Sequence, residues 1–199
     1  MSETTRTFFA IEIPEPLETE LRRLQRILAP ELPACRFTRD STPFHMTLAF
    51  LGNVGDADST LLHDLVVASV AGFQPCELQF QGLGTFPSAR RPRVLWAGLR
   101  ATDTALLEQI QQAVSGAAKK AGYPADDRFH PHVTLGRFKP DRRGPCDATA
   151  VMERYRSWSC GVFTATEVVG FASRITREAP SYEPQSRAPL AGAKSKPLP

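Results

Sequence analysis

His45-Met46-Thr47-Leu48 and His132-Val133-Thr134-Leu135 are two copies of one pattern, His-x-Thr-Leu, in a chain with only four histidines. On a strand, residues two apart share a face. Each copy therefore sets its His and Thr on one side and its two apolar residues on the other, chemistry on one face and core on the opposite one. Two such strands side by side gather two imidazoles and two hydroxyls around one cleft, and two imidazoles can act as general base and general acid for one in-line displacement. A lone His-x-Thr on a strand is ordinarily a polar surface pair. The duplicate changes that: both copies have a proline close before the histidine (Pro43, Pro131) and a small residue after the leucine (Ala49, Gly136), and both follow a helix.

Outward from the first copy, Thr7 to Ile13 reads as a core strand, and Pro14 and Pro16 end it and open a helix carrying Leu17, Leu21, Leu24 and Leu28 at helical spacing. The first His strand spans Phe44 to Leu51, and Gly52-Asn53 is read as a turn. A second helix covers about residues 58 to 70, with Leu61, Leu62, Leu65, Val66 and Ser69 on one side. Extended segments follow at Cys76–Leu83 and Arg93–Leu99, joined by the loop FPSARRPR. A third helix begins with Thr102 or Asp103 as cap, turns Leu106, Leu107, Ile110, Ala113 and Val114 inward, and stops at Gly122. The second His strand covers residues 130 to 138, and a short helix covers 148 to 155. Two late strands, Cys160–Thr164 and Glu167–Ile175, read as a closing pair. The pattern predicts an α+β protein of two pseudo-symmetric lobes, each contributing one His strand. The domain is expected over residues 1–182, with a disordered tail over 183–199, where Pro, Ala, Ser and Lys dominate.

A length of 199 residues suits one such domain, and 42% hydrophobic with 23% charged residues is ordinary for a globular chain. A net charge of +3 permits an anionic ligand without demanding one. Cys35, Cys76, Cys146 and Cys160 are scattered, with no Cys-x-x-Cys pair, as in a reduced intracellular protein. With no signal-peptide pattern and no membrane-length apolar run, the expectation is a cytoplasmic protein without membrane contact, and monomeric by default.

His63, on the second helix, falls opposite the apolar positions and reads as solvated. His130 lies two before His132 and belongs at the mouth of the cleft as a possible RNA contact. A metal is the competing use of paired histidines. His130-x-His132 would supply two ligands, but no cysteine or carboxylate lies near them in a recognisable pattern, so no metal is expected.

FHMTLAFLG and FHPHVTLGRF resemble the two motif blocks of the two-histidine phosphoesterase superfamily, in its RNA 2′,3′-cyclic phosphodiesterase branch, also called 2′–5′ RNA ligases. The run from Gly84-Thr85-Phe86-Pro87 to Pro92-Arg93-Val94-Leu95-Trp96 is similar to that family's central hairpin, and Ser173 with Tyr182 to its closing segment. Phe37 departs from the tryptophan common there. The resemblance implies antiparallel sheets around a central cleft, no cofactor, and a substrate with a terminal ribose 2′,3′-cyclic phosphate at an RNA 3′ end. His132 would deprotonate water and His45 would protonate O3′, leaving a 2′-phosphate. Thr47 and Thr134 would bond the non-bridging oxygens, and reversible 2′–5′ ligation could use the same groups.

Arg137 matches the family's arginine after the second motif. Strict alternation puts it on the wrong face, so it needs a bulge near Gly136; otherwise it is a solvated strand-end charge. Phe50 has the same parity problem and reads as core. Arg90, Arg91 and Arg93, with Arg142 and Arg143, either bind RNA phosphates or form a solvated basic surface. Phe86 or Trp96 could stack on a base, with core burial the expectation for Trp96. Two other functions share the motifs: a phosphodiesterase on small cyclic nucleotides or 2′–5′ oligonucleotides, and a non-catalytic RNA-end binder. Turnover separates the last from the enzymes.

Overall fold

The computed structural model describes residues 4–123, 125, 128–139, 146–175 and 180–191. Its elements run β1 (Thr4–Glu12), α1 (Glu15–Leu28), β2 (Cys35–Phe37), β3 (His45–Gly55), α2 (Asp56–Val70), β4 (Cys76–Phe86), β5 (Val94–Ala101), α3 (Thr104–Lys120), β6 (His132–Phe138), α4 (Thr149–Arg154), β7 (Ser159–Ala165), β8 (Glu167–Ile175) and β9 (Pro180–Pro189). The strands form one antiparallel sheet in the order β7-β4-β5-β6-β3-β1-β8-β9, with β2 paired to the far end of β6. The two His strands, β3 and β6, are neighbours in the middle, joined where Met46 lies opposite Val133. Each carries three further strands outward, so the sheet divides into two halves of matching layout.

The alternation expected of the motifs holds. Met46, Leu48, Val133 and Leu135 are buried, and His45, Thr47, His132 and Thr134 are half-buried on the other face. The large core lies behind the sheet. Leu17, Leu21, Leu24 and Leu28 of α1 enter it, as do Leu107, Ile110 and Val114 of α3, whose first turn is capped by Asp103 accepting from the Leu106 N–H at 2.9 Å. The helices cross between halves: α1 follows β1 but touches β7, and α3 follows β5 but packs on β3. On α2 the inward stripe is Leu62, Val66 and Val70, while Leu61 is exposed, against the expected one-sided grouping.

Three expectations are corrected. β7 and β8 do not pair with each other: β7 pairs β4 at one edge, and β8 lies between β1 and β9 near the other. Only Thr166 separates them, too little chain for a hairpin. Gly52-Asn53 is no turn, because β3 runs on to Gly55. Gly52, at φ 77°, sits at a bulge where β1 skips Leu51, pairing Thr7 with Gly52 and Phe8 with Phe50. The tail does not begin at residue 183, since residues 183–189 belong to β9, and Ala188 and Leu190 are buried. An edge strand tolerates the prolines that made this segment look disordered, because a proline has no N–H to offer the missing neighbour. Arg187 anchors it by pairing with Glu12 at 2.8 Å and with Glu167.

Candidate active site

The β3–β6 register centred on Met46 and Val133 sets His45 beside Thr134 and Thr47 beside His132, a near-two-fold arrangement of two imidazoles and two hydroxyls. Each ring is oriented by the same local device. His45 Nδ1 lies 3.4 Å from the Pro43 carbonyl, and His132 Nδ1 lies 2.7 Å from the His130 carbonyl. A carbonyl can only accept, so Nδ1 carries the proton in the neutral ring and Nε2 is left with its lone pair. The longer of the two contacts is weak and the shorter is a full hydrogen bond.

The strands are bulged at matching places. On β3, Ala10 pairs Thr47 and Phe9 pairs Ala49, so Leu48 is the extra residue. On β6, Trp96 pairs Thr134 and Leu95 pairs Gly136, so Leu135 is the extra residue. Each bulge resets the alternation, so the residue five after each histidine returns to the motif's face. That resolves the parity of Arg137, which is exposed there, adds to the lowering of His132 by burial, and opposes the rise that burial imposes on Tyr182. It also corrects Phe50, which is 45% exposed rather than core, with the Arg6 guanidinium 4.8 Å from its ring centre.

A buried glutamine stabilises each bulge. Gln25 of α1 donates to the Leu135 carbonyl at 2.8 Å, and Gln111 of α3 donates to the Leu48 carbonyl at 3.3 Å. The pairing is crossed, each half's helix satisfying the other half's bulge. Neither glutamine was singled out from the sequence. The available signal was a polar residue on the apolar stripe of each helix.

Aromatic rings wall both imidazoles. Phe8, Phe171 and Tyr182 lie 4.8, 6.1 and 5.0 Å from His45. Phe86, Trp96 and His130 lie 5.1, 6.2 and 6.1 Å from His132. Trp96 is thus a half-buried cleft residue, not core. Burial pushes the His45 imidazolium down, to about 4, against the opposing pull of the Pro43 carbonyl and with the help of nearby His132. Burial lowers His132 as well, offset by the His130 carbonyl and reinforced by the His130 ring and Arg137. Both rings are therefore neutral near pH 7 in the free protein.

His130 is exposed at the cleft mouth with its ring 4.7 Å from Trp96. Arg90, Arg91 and Arg93 are exposed on the β4–β5 connection, and Arg142 and Arg143 lie outside the described residues. His63 is half-buried rather than solvated, and its Nδ1 is buried without a partner. Burial raises the Cys35, Cys76 and Cys160 thiols, to about 12, 11 and 11, which leaves them protonated and poor nucleophiles. Among the described residues no three of His, Cys, Asp and Glu converge as a metal's donor set requires, and no helix is long and apolar enough to cross a membrane.

Residues 45–170, from the first histidine to β8, match the model of the 2′-5′ RNA ligase superfamily. The chain belongs to this superfamily. Among superfamily relatives, it is 28% identical over 177 residues to the RNA 2′,3′-cyclic phosphodiesterase of Methanothermobacter thermautotrophicus, covering 89% of this chain and 94% of that one. The crystal structure of Escherichia coli LigT complexed with 3′-AMP is similar with a TM-score of 0.70 and 26% identity, covering 95% of this chain and 99% of that one. Thermus thermophilus TT0787 has the same fold, with a TM-score of 0.75 at 21% identity, covering 94% of this chain and 99% of that one.

Proposed function

We propose that the protein hydrolyses the 2′,3′-cyclic phosphate at an RNA 3′ end to a 2′-phosphomonoester without a metal, using His132 and His45 as proton acceptor and donor. The observation that carries this reading is the pair of Nε2 lone pairs offered across the β3–β6 junction, each beside a threonine of the other motif. The names of the curated relatives supply the substrate class.

A water held by His132 attacks phosphorus and gives its proton to Nε2. The P–O3′ bond opposite breaks, and His45 protonates O3′, leaving phosphate on O2′. Thr47 and Thr134 donate to the non-bridging oxygens, with Arg137 adding a charge-assisted contact. Little covalent chemistry falls to the protein, so positioning and electrostatics dominate. The phosphate anion between the two rings favours the imidazolium, so substrate binding raises the proton affinity of His45, which then takes up from solvent the proton it lacks in the free site. A 5′-hydroxyl taking the water's place would form a 2′–5′ linkage. Phe50 with Arg6, and Trp96 with His130, are the surfaces available to bases, and Arg90, Arg91 and Arg93 to more distant RNA phosphates. Cysteines kept as buried thiols, Cys35 and Cys76 among them, fit a reducing cytoplasm, and a monomer suffices because both motifs come from one chain.

One observation favours the reverse assignment: His45 holds its proton less firmly than an ordinary imidazole and sits in the more apolar cage. A substrate with sulfur in place of O3′ separates the two. A thiolate leaves without an acid, so the variant lacking the acid recovers on it and the variant lacking the base does not. The activity itself is tested with chelator present on a short RNA ending in 2′,3′-cyclic phosphate. Clean 2′-phosphate is expected, and 3′-phosphate or no turnover would refute the proposal.

A further inference from the structure

We propose that Arg36, set beside Arg137, forms a second phosphate subsite that takes the phosphodiester next to the RNA terminus, so that the enzyme reads more than one nucleotide. This rests on the function proposed above and adds a substrate length to it. Residues directly opposite in an antiparallel pair share a face. β2 and β6 pair Cys35 with Phe138, Arg36 with Arg137, and Phe37 with Gly136. Cys35 and Phe138 are buried, whereas Arg36 and Arg137 are exposed. Because the Leu135 bulge has returned Arg137 to the face of His132 and Thr134, Arg36 shares that face too.

Arg36 and Arg137 stand on strands one spacing apart (~4.8 Å), and like charges directly opposite each other are unfavourable. Among the described residues neither is in an ion pair, and the acids nearest Arg36 in sequence pair elsewhere, Asp40 with Arg22 at 3.7 Å and Glu31 with Arg154 at 2.5 Å. Adjacent phosphates of one strand, one at each arginine, offset the like charges and gain charge-assisted hydrogen bonds. The backbone presenting Arg36 is held tightly to the motif strand. Thr38 donates from its N–H to the Leu135 carbonyl at 2.8 Å and from its hydroxyl to the Thr134 carbonyl at 3.2 Å. A Cβ on Gly136 would meet Cys35 Sγ at 2.7 Å and the Arg36 carbonyl at 2.8 Å. The same row continues from Arg137 through Val94 to Phe86, whose ring lies against His132. With the reacting phosphate held by the two threonines and Arg137, the next phosphate along the strand falls to Arg36. A cyclic mononucleotide has no such phosphate.

The test compares kcat/KM for a 2′,3′-cyclic mononucleotide and for a short RNA with the same 3′ terminus, in wild type, Arg36→Gln and Arg36→Lys. The RNA-to-mononucleotide preference is expected to fall about tenfold in Arg36→Gln, in line with loss of one charged contact, and to recover partly in Arg36→Lys. Making the last phosphodiester a neutral methylphosphonate should lower wild type similarly and leave Arg36→Gln little further changed. Equal losses on both substrates, no loss on either, or additive losses from the variant and the methylphosphonate would each overturn the subsite. Wild type inert on both substrates would overturn the function instead. The subsite would then stand or fall on RNA binding followed by anisotropy: an unchanged Kd and salt slope in Arg36→Gln refute it, and a slope shallower by about 0.7 supports it.

Discussion

Five residues after the first histidine stands Phe50, and five after the second stands Arg137. Up to that point the two central strands are built alike, with the same pairing, the same bulge and the same helical glutamine behind it. Beyond it they part. The His45 side is walled by Phe8, Phe171 and Tyr182, with a loose Nδ1 contact of 3.4 Å. The His132 side is walled by Phe86, Trp96 and a third histidine, with a tight 2.7 Å contact and a cation on the same face. The difference teaches that backbone symmetry delivers two equivalent proton-transfer positions, while a few side chains make them unequal. Each flank has a cation, Arg6 over the Phe50 ring on one and Arg137 directly on the motif's face on the other, so the differing ring walls and Nδ1 contacts give an otherwise symmetric site a direction.

The largest effect expected is loss of either imidazole. His45→Ala and His132→Ala should each lower kcat about 10²–10⁴-fold on RNA 2′,3′-cyclic phosphate. With sulfur at the leaving position, one of the two defects should largely vanish. If both persist or both vanish, the halves are chemically equivalent and the comparison breaks. Next in size, Thr47→Val and Thr134→Val should each cost about 10- to 100-fold in kcat/KM, the value of one hydrogen bond to a charged group. A matched loss would mean that both hydroxyls reach the phosphate, whereas a loss confined to one would place it nearer a single half.

The glutamines sharpen the contrast further. Gln111→Leu strips the side-chain donor from the Leu48 carbonyl and should lower stability by about 1–3 kcal/mol in denaturant titrations, whereas Gln25→Leu leaves the Leu135 carbonyl with the Thr38 N–H and should cost about 1 kcal/mol. They should then differ. Gln25→Leu disturbs the bulge that aims Arg137 and should raise KM with a shallower salt dependence. Gln111→Leu disturbs the one that aims Phe50 and should leave the salt dependence alone. The smallest effect is on stability against pH. Both histidines hold protons less firmly in the folded protein than in the unfolded chain, so acidification favours unfolding. Their contribution is fully present above about pH 6.5 and is lost as pH falls towards about 4, where His45 titrates. Thermal melts of His45→Asn should lose less between those limits than wild type. An NMR titration should show inorganic phosphate raising the His45 midpoint; a fixed midpoint would mean that no anion sits beside the ring.

The motif strands were legible because burial has period two, and Met46, Leu48, Val133 and Leu135 declare it. The bulges were not, since Leu48-Ala49 and Leu135-Gly136 look like any apolar run. A one-residue insertion in pairing is a property of two strands and cannot be read from one. That hidden step decides the placement of Phe50 and Arg137, and through Arg137 that of Arg36. Trp96 was misjudged because a large aromatic is core by default, whereas here it walls a cleft. β9 was missed for the converse reason, its prolines forbidding a central strand but not an edge. The closing-pair error at Ala165 and Glu167 came from treating neighbours in sequence as neighbours in the sheet.

The crossed glutamines bear on how the molecule holds together. Neither half can complete its own strand: Leu48 waits for a helix made after residue 103, and Leu135 for one made before residue 29. An isolated half would bury an orphan carbonyl beside its catalytic motif. The two repeats are therefore interlocked parts of one cooperative unit, and unfolding should show a single transition instead of two. Any ancestor with one repeat would have needed a second copy of itself, trading helices, to shape a site at all.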